Sequence, residues 1–351
     1  MTLEDLRADI DSIDARITAL LEERMEKALL TKRLKTAGIE DKGRENAIID
    51  KVRRTSRDLL RPDFGEELFR SIIAESKKLQ EKAPRTVGFQ GEHGAYSEMA
   101  AWAWDRAIAT IPCHEFEDVF DGVDQGIFDY GIVPVENSLG GLVGPVNSIL
   151  ISTDLRIIAA VSVDISHCLL ALPGADHREL RTVYSHPQAL AQCRHFIERN
   201  KLKPMAFYDT AGAARMLSQE GPKGAAAIAS RLAAELYDLE IIKDAVQDSP
   251  DNRTRFLVLS KKDSGEPGSK CSAVFSATDK AGALFEILEI FASSHINLTR
   301  IESVPNRPGD YAIFIDFEGS LADRRVADAV EQATSKAQNF RILGCYNERR
   351  L

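Results

Sequence analysis

The first twenty residues constrain the fold most. Leu3, Leu6, Ile10, Ile13, Ile17 and Leu20 recur at alternating spacings of three and four, a heptad-like apolar seam. The pattern predicts a helix from about residue 2 to residue 36, ending at Gly38. A second helix is expected over residues 43–60, and a third from Pro62, with Phe64, Leu68, Ile72 and Leu79 on its inner face. A helix of ~35 residues spans ~50 Å at 1.5 Å per residue, too long for a compact domain of about 80 residues. The first helix is therefore expected to pair with a second copy of itself in an intertwined dimer.

After a linker at 80–85 (QEKAPR) the texture changes. Short apolar runs are each followed by small or polar residues and then a helical pattern. Residues 86–90 lead into GEHGAYSEMAAWA, 130–135 into ENSLGG, 182–184 into SHPQALAQCRHF and 205–208 into DTAGAARML, and 255–260 form a last strand. This alternation predicts an α/β domain of largely parallel strands, with ligands at strand ends where helix N-termini converge. A second linker, 261–270 (KKDSGEPGSK), precedes a βαββαβ pattern of ferredoxin-like type. Its strands are expected at 272–277, 297–303, 311–318 and 340–346, and its helices at 283–293 and 321–333. Domain bounds of 1–83, 86–260 and 271–351 follow.

With 44% apolar residues in 351, each domain can bury a core, yet no run approaches 18 apolar residues, which argues against a membrane span. The acidic, helical first 20 residues look unlike a signal peptide, so a cytoplasmic location is expected. Cys113, Cys168, Cys193, Cys271 and Cys345 show no C-x-x-C spacing and read as reduced thiols, not a disulfide frame or a zinc site. Net charge is −9, yet residues 1–83 hold 18 basic and 18 acidic residues, so the acidic excess lies downstream. Without a basic stripe, nucleic acid is not an expected partner.

Continuing the seam by four from Leu20 puts Arg24 on the inner face, and Lys35, eleven residues on, returns to within ~20° of it. Ser76 and Gln80 follow Ile72 at steps of four. Inward cations call either for glutamates of a partner helix or for an anionic ligand. Residues 3–80 resemble the all-helical chorismate mutases. The resemblance implies a pocket of Arg7, Arg24, Lys35, Asp41, Arg44, Glu45, Ser76 and Gln80. In the family's terms Lys35 and Gln80 face the ether oxygen that breaks, and Arg7, Arg24 and Arg44 hold carboxylates. Glu45 and Asp41 position the ring hydroxyl, with Ser76 supporting. The rearrangement needs no nucleophile, only a held conformer and stabilised charge. Arg7 lies ~100° around the helix from Arg24, and the family donates it across the dimer.

Residues 86–260 resemble prephenate dehydratase through GFQGEHGAYSEMAA, DYGIVPVENSLGG, SHPQALAQC, DTAGAA and DNRTRF. The family folds as two α/β lobes around a cleft. A substrate with two carboxylates that loses carbon dioxide and hydroxide needs anion holders and a donor for the departing hydroxyl. The resemblance makes Thr254 the principal catalytic residue, Arg255 a carboxylate holder and Phe256 a border to the ring. Asn137, Ser138, Ser185 and Gln188 are expected to bond substrate, and Ser97 and Thr210 to cap helices aimed at the cleft. Read from spacing alone, Thr254 is equally a β-favouring residue, and Ser185 and Thr210 ordinary helix caps. The glycines at 88, 91 and 94 do not make G-x-G-x-x-G, which disfavours a nicotinamide-dependent dehydrogenase partner.

Residues 271–351 are similar to ACT domains. Gly282, Ala283 and Leu284, after Asp279 and Lys280, match the family's Gly-Ala-Leu motif, where helix N–H groups can meet a carboxylate. Glu302-Ser303-Val304-Pro305 departs from the family's Glu-Ser-Arg-Pro, and Arg307 is a candidate replacement for the arginine. The three resemblances together imply a bifunctional enzyme of phenylalanine biosynthesis that uses no metal and no organic cofactor. Chorismate and prephenate are the implied substrates, L-phenylalanine the allosteric inhibitor, and the assembly a homodimer or larger. An amino-acid-responsive binding protein and an arogenate dehydratase are the competing readings.

Overall fold

The computed structural model describes residues 2–35, 38–57, 59–265, 267–276, 281–307 and 310–350. The chain divides into two compact units, Met1–Arg85 and Thr86–Leu351.

The first unit is all helix: α1 (Leu3–Leu34), α2 (Lys42–Thr55) and α3 (Pro62–Lys82). The Asp41 side chain accepts from the Arg44 N–H and starts α2, while Pro62 sits at the first position of α3, where its missing N–H costs nothing. At Gly65 a Cβ would stand 2.7 Å from Ser56 Oγ, so the glycine lets α3 lie against the end of α2. The seam of α1 is exposed among the described residues of this unit. Leu3, Leu6, Ile10, Ile13, Ile17 and Leu20 are 42–63% exposed.

The second unit begins with β1 (Thr86–Gln90), α4 (Tyr96–Trp104), β2 (Ala109–Cys113), α5 (Phe116–Asp124), β3 (Tyr130–Asn137), β4 (Gly141–Leu142), α6 (Gly144–Leu150) and β5 (Arg156–Asp164). There follow β6 (Cys168–Ala171), β7 (Thr182–Ser185), α7 (Pro187–Gln192), α8 (Arg194–Arg199), β8 (Lys203–Ala206), α9 (Thr210–Glu220), β9 (Ala225–Ala229), α10 (Arg231–Leu236) and β10 (Glu240–Lys243). The chain then returns as β11 (Arg253–Ser260). These form two lobes, with sheets ordered β2-β1-β3-β11-β5 and β8-β7-β9-β6-β10. β1 pairs in parallel with β2 and β3, and β7 with β8 and β9, but β11, β6 and β10 run antiparallel to their neighbours. The expectation of largely parallel strands is thus corrected to mixed sheets. The chain crosses between the lobes twice, and the strands at those crossings, β6 and β11, run antiparallel to their neighbours.

The C-terminal module has β12 (Lys270–Ser276), α11 (Ala283–Ser293), β13 (Leu298–Arg307), β14 (Asp310–Glu318), α12 (Arg324–Lys336) and β15 (Gln338–Arg350). Its strand order β13-β14-β12-β15 is the ferredoxin-like one, around a core of Phe275, Phe291, Phe317 and Val326. The linker does not separate this module from the lobes. The end of β15 runs parallel to β5, Asn347 opposite Ala159 and Arg350 opposite Ser162, so one sheet continues through both domains. Gly344 makes this join possible, because a Cβ there would collide with the Ile157 carbonyl oxygen.

The expectation of five reduced thiols is corrected. Cys271 and Cys345 are disulfide-bonded, 74 residues apart in sequence but directly opposed across β12 and β15 with Cα atoms 4.1 Å apart. Cys168 and Cys193 are thiols whose pKa burial pushes up to about 12. Among the described residues no three metal-ligating side chains cluster, and no helix is long and apolar enough to cross a membrane.

Candidate active sites

In the helical unit the inward residues of α1 meet α3. Arg24 donates to Ser76 Oγ at 2.6 Å, and Ser76 in turn donates to the Ile72 carbonyl at 2.8 Å. Gln80 is buried and donates to the Ala28 carbonyl at 2.5 Å, while Lys32 reaches the Gln80 carbonyl at 2.6 Å. Partial burial lowers the Arg24 pKa. Lys35, one turn beyond Lys32, donates to the Ile39 carbonyl at 3.0 Å. Asp41 is engaged as the cap of α2, and Glu45 pairs with Lys77 of α3 at 2.7 Å, a hydrogen bond that lowers the Glu45 pKa. Arg24, Ser76 and Gln80 therefore come together where α1 meets α3, while Lys35 and Asp41 flank the connection between α1 and α2 and Glu45 ties α2 to α3. Arg44 is exposed, and Arg7 stands 17 residues before Arg24, roughly 25 Å along the helix axis. Lys32 and Lys77 were missed by sequence reasoning. Lys32 lies eight beyond Arg24, ~80° around the helix from it, so the seam alone did not turn it inward.

In the α/β unit the register of β11 on β3 sets Thr254 opposite Asn137, and both are buried where the lobes meet. Asn137 Oδ1 accepts from the N–H groups of Leu139 and Gly140 at 3.0 and 2.7 Å, which fixes which end of its amide is which. Its Nδ2 therefore donates, to Thr254 Oγ at 2.9 Å and to Asn252 Oδ1 at 2.8 Å. Asn252 then donates to Gln192 Oε1 at 2.9 Å, and His167 Nε2 contacts the same oxygen at 3.1 Å. Because that oxygen can only accept, the His167 proton sits on Nε2, leaving Nδ1 to face the Tyr96 hydroxyl at 3.2 Å. Burial lowers the His167 pKa, against the opposing bond to Gln192, so the ring is neutral. At the Thr254 end of this ladder the donor is Asn137 Nδ2. The threonine oxygen accepts, and among the described residues nothing takes its own proton.

Asn252, Gln192, His167 and Tyr96 were not singled out from sequence as site residues. Gln192 lies four beyond Gln188, on the same face of α7, and that spacing could have found it. Of the residues that were singled out, Phe256 is two along β11 from Thr254 and buried in the core of the lobes. Gln188 lies over Gly140, where a Cβ would strike its amide. Ser138 Oγ donates to the Asp251 carbonyl and accepts from Arg253 N–H, both at 2.9 Å, clasping the start of β11. Ser185 is no helix cap. It is buried on β7 and donates to the Ile228 carbonyl at 2.6 Å, while His186 Nδ1 caps α7. Thr210 is the first residue of α9 and Asp209 the cap, and Ala95 precedes α4, so Ser97 lies inside that helix. Opposite lobes also meet through Glu92, which accepts from Tyr208 at 2.7 Å and from Arg215 at 2.6 Å.

Arg255 stands apart from the cleft. Neighbouring strand residues face opposite ways, and its guanidinium turns to the C-terminal module, 2.5 Å from Asp316 and 2.8 Å from the Tyr346 hydroxyl. The expectation that it holds a substrate carboxylate is corrected on that ground. The motif carries an arginine, but its counter-ion is a residue 61 positions away. A cavity of about 980 Å³ opens on this back face among Glu136, Ser162, Arg255, Lys270, Glu302 and Glu348, with Asn137 and Ser138 at its rim.

Comparison with known proteins bears on all three segments. Residues 6–81 match the model of chorismate mutase type II, 87–264 that of prephenate dehydratase and 272–334 that of the ACT domain. A bifunctional chorismate mutase/prephenate dehydratase of Aquifex aeolicus is 35% identical, over 98% of this chain and 97% of its own. The chain belongs to the bifunctional chorismate mutase/prephenate dehydratase family. Arogenate dehydratase/prephenate dehydratase 2 of Arabidopsis thaliana is 37% identical over 87% of this chain and 83% of its own. Among solved structures, one described as a novel type of quorum quenching acylase, GqqA, gives a TM-score of 0.69 at 33% identity, over 76% and 98% of the two chains. Prephenate dehydratase from Arthrobacter aurescens in complex with L-Phe gives 0.68 at 33%, over 75% and 89%. The chain is thus an isomerase and a lyase, with a mutase unit for chorismate and a dehydratase unit for prephenate.

In the ACT domain of this family member, Gly282 precedes α11 at φ 89°, a left-handed conformation that favours glycine, and no side chain caps the helix. Ala283 opens the helix and Leu284 packs on the domain's core. Glu302 and Ser303 lie on β13, and Val304, where the family has arginine, is buried. Asp279, Lys280 and the side chain of Arg307 lie outside the described residues.

Proposed function

We propose that the helical unit rearranges chorismate to prephenate and that the dehydratase unit converts prephenate to phenylpyruvate, with L-phenylalanine bound at the ACT domain as feedback inhibitor. The observation that carries the second step is the amide ladder ending on Thr254. A hydroxyl that accepts from Asn137 has its own proton left to donate. In the reaction the bond to the ring carboxylate breaks, its electron pair completes the aromatic ring, and the ring hydroxyl departs with a proton as water. Thr254 donates to that departing oxygen, inside a site where such a bond is strengthened by exclusion of water.

For the first step, Arg24, Lys35 and Gln80 supply cationic and amide donors along one side of α1 and α3, suited to a dianion held in its compact conformer. Arg7 and the exposed seam of α1 fit a homodimer in which a second copy covers Leu6, Ile13 and Leu20 and Arg7 reaches the other pocket. Phenylalanine control draws support from the relative solved with L-Phe and from the uncapped N-terminus of α11.

Turnover of chorismate and of prephenate, each with and without phenylalanine, tests the whole reading. Lys35→Ala should abolish mutase turnover while added prephenate is still dehydrated, and Thr254→Ala should do the reverse. Loss of both activities from either folded variant would refute two separate sites. Because the Arabidopsis relative is named for arogenate as well, arogenate is the second substrate to compare.

A further inference from the structure

On β11 and β3 two opposed pairs lie side by side: Thr254 with Asn137, and Arg255 with Glu136. Strand alternation sends the first pair to the cleft and the second to the ACT domain. There Arg255 is only 5% exposed and contacts Asp316 of β14 at 2.5 Å, Tyr346 and Glu348 of β15 at 2.8 and 3.2 Å, and Glu136 at 3.5 Å. The contacts continue outward. Ser272 bonds Asp316 at 2.6 Å and Tyr346 at 2.5 Å, and Ser162, opposite Arg255 on β5, donates to Glu348 at 3.1 Å. Burial alone would lower the Arg255 pKa, but Tyr346, Asp316 and Glu348 outweigh it and raise it, so the guanidinium stays charged. Arg300 of β13 adds a second tie, donating to Asn147 at 2.7 Å beside Glu136.

We propose that Arg255 is a positioning residue: it clamps the catalytic strand to Asp316 and Tyr346 of the ACT domain and thereby sets where the Thr254 hydroxyl stands. The ACT domain is then a working part of the dehydratase as well as its regulator. The inference rests on the role given to Thr254 above. A clamp of this kind acts on the reaction through geometry. A misplacement of about 1 Å costs on the order of 100-fold in rate, whereas the grip on the ground-state substrate is unchanged.

The test uses the full chain and prephenate kinetics. Asp316→Asn keeps the shape and removes the charge, and should lower kcat at least about tenfold with KM within about twofold. Tyr346→Phe removes the hydroxyl bonded by Arg255 and Ser272 but leaves the Asp316 ion pair, and should lower kcat in the same direction by less. Chorismate turnover by the same preparations should be unchanged. Arg255→Met with Asp316→Leu, which leaves no buried charge unpaired, should recover more kcat than Arg255→Met alone. A rise in KM at constant kcat would instead make Arg255 a substrate ligand, and unchanged kinetics in both Asp316→Asn and Tyr346→Phe would remove the clamp. If Asp316→Asn does not fold, Tyr346→Phe decides alone. Thr254→Ala runs alongside. If it retains dehydratase activity, the role of Thr254 has failed; if it is inactive while both clamp variants are normal, only the clamp has failed.

Discussion

At the scale of single residues, the dehydratase site depends on hydrogen-bond direction more than on charge. Asn137 is held by two backbone N–H groups and so must donate to Thr254. Asn137→Asp is nearly isosteric but turns that donor into an acceptor, which would draw the Thr254 proton back toward the protein. Dehydratase kcat should fall about 10²–10³-fold, the usual effect of losing one aligned donor, with the melting temperature lowered too because the new oxygen also faces Asn252 Oδ1. An Asp variant with normal kcat would show that the ladder does not orient Thr254. His167, at the far end, is neutral because burial holds its pKa below 6.5. In the unfolded chain it takes up a proton as pH falls past 6.5, while in the fold it does not. Its contribution to stability is therefore complete above pH 6.5 and is lost as pH falls through the lower folded value, by at most about 1.4 kcal/mol per pH unit. Melting curves of the dehydratase unit between pH 7.5 and 5.5 should show that loss, and His167→Gln should flatten it.

At the scale of elements, what was legible depended on how far apart the interacting residues lie. The three helices, the ACT helix Ala283–Ser293 and the strand at Thr86–Gln90 were readable, because their patterns repeat within a few residues. Arg24 meeting Ser76 was foreshadowed by two independent periodicities pointing inward. The opposition of Thr254 and Asn137, 117 residues apart, and of Cys271 and Cys345, 74 apart, is a matter of strand register, which no local pattern encodes. Arg255 was misplaced for the same reason. An arginine in a motif next to a threonine reads as an anion holder until its distant Asp316 is known. The exposed seam of α1 gives the prediction at this scale. Ile13→Glu puts a charge in the centre of an apolar face, and if a second copy covers that face the chain should shift to a smaller species in analytical ultracentrifugation. Mutase turnover should fall with it, since Arg7 would no longer reach a neighbouring pocket. Prephenate dehydration should stay within about twofold, because surface changes remote from a site rarely exceed ~0.5 kcal/mol. Unchanged sedimentation would rule out α1 as the dimer seam.

At the scale of the whole molecule, the two units differ in how far they can be cut. The helical unit is a body of its own, whereas the dehydratase lobes and the ACT domain share one sheet through β5 and β15. A regulatory domain attached only by its linker could be removed with loss of feedback alone. Here removal would take away Asp316, Tyr346 and Glu348, strip the Arg255 charge of those partners and leave β5 a bare sheet edge. Stranding one half of an ion pair costs about 3–5 kcal/mol where the remaining charge stays buried, an upper bound once water reaches the guanidinium. For a domain of this size each kcal/mol lowers the melting temperature by about 2–4 °C, so the loss of these partners lowers it by at most roughly 20 °C, before any effect of exposing β5 is counted. A chain ending at Ser260 should therefore convert chorismate normally but melt early in its α/β unit and dehydrate prephenate poorly. Adding Arg255→Met to that shorter chain removes the stranded charge and should raise the melting temperature, though not restore kcat. If the chain ending at Ser260 instead dehydrates prephenate as fast as the full chain and is merely indifferent to phenylalanine, the shared sheet carries no function beyond attachment.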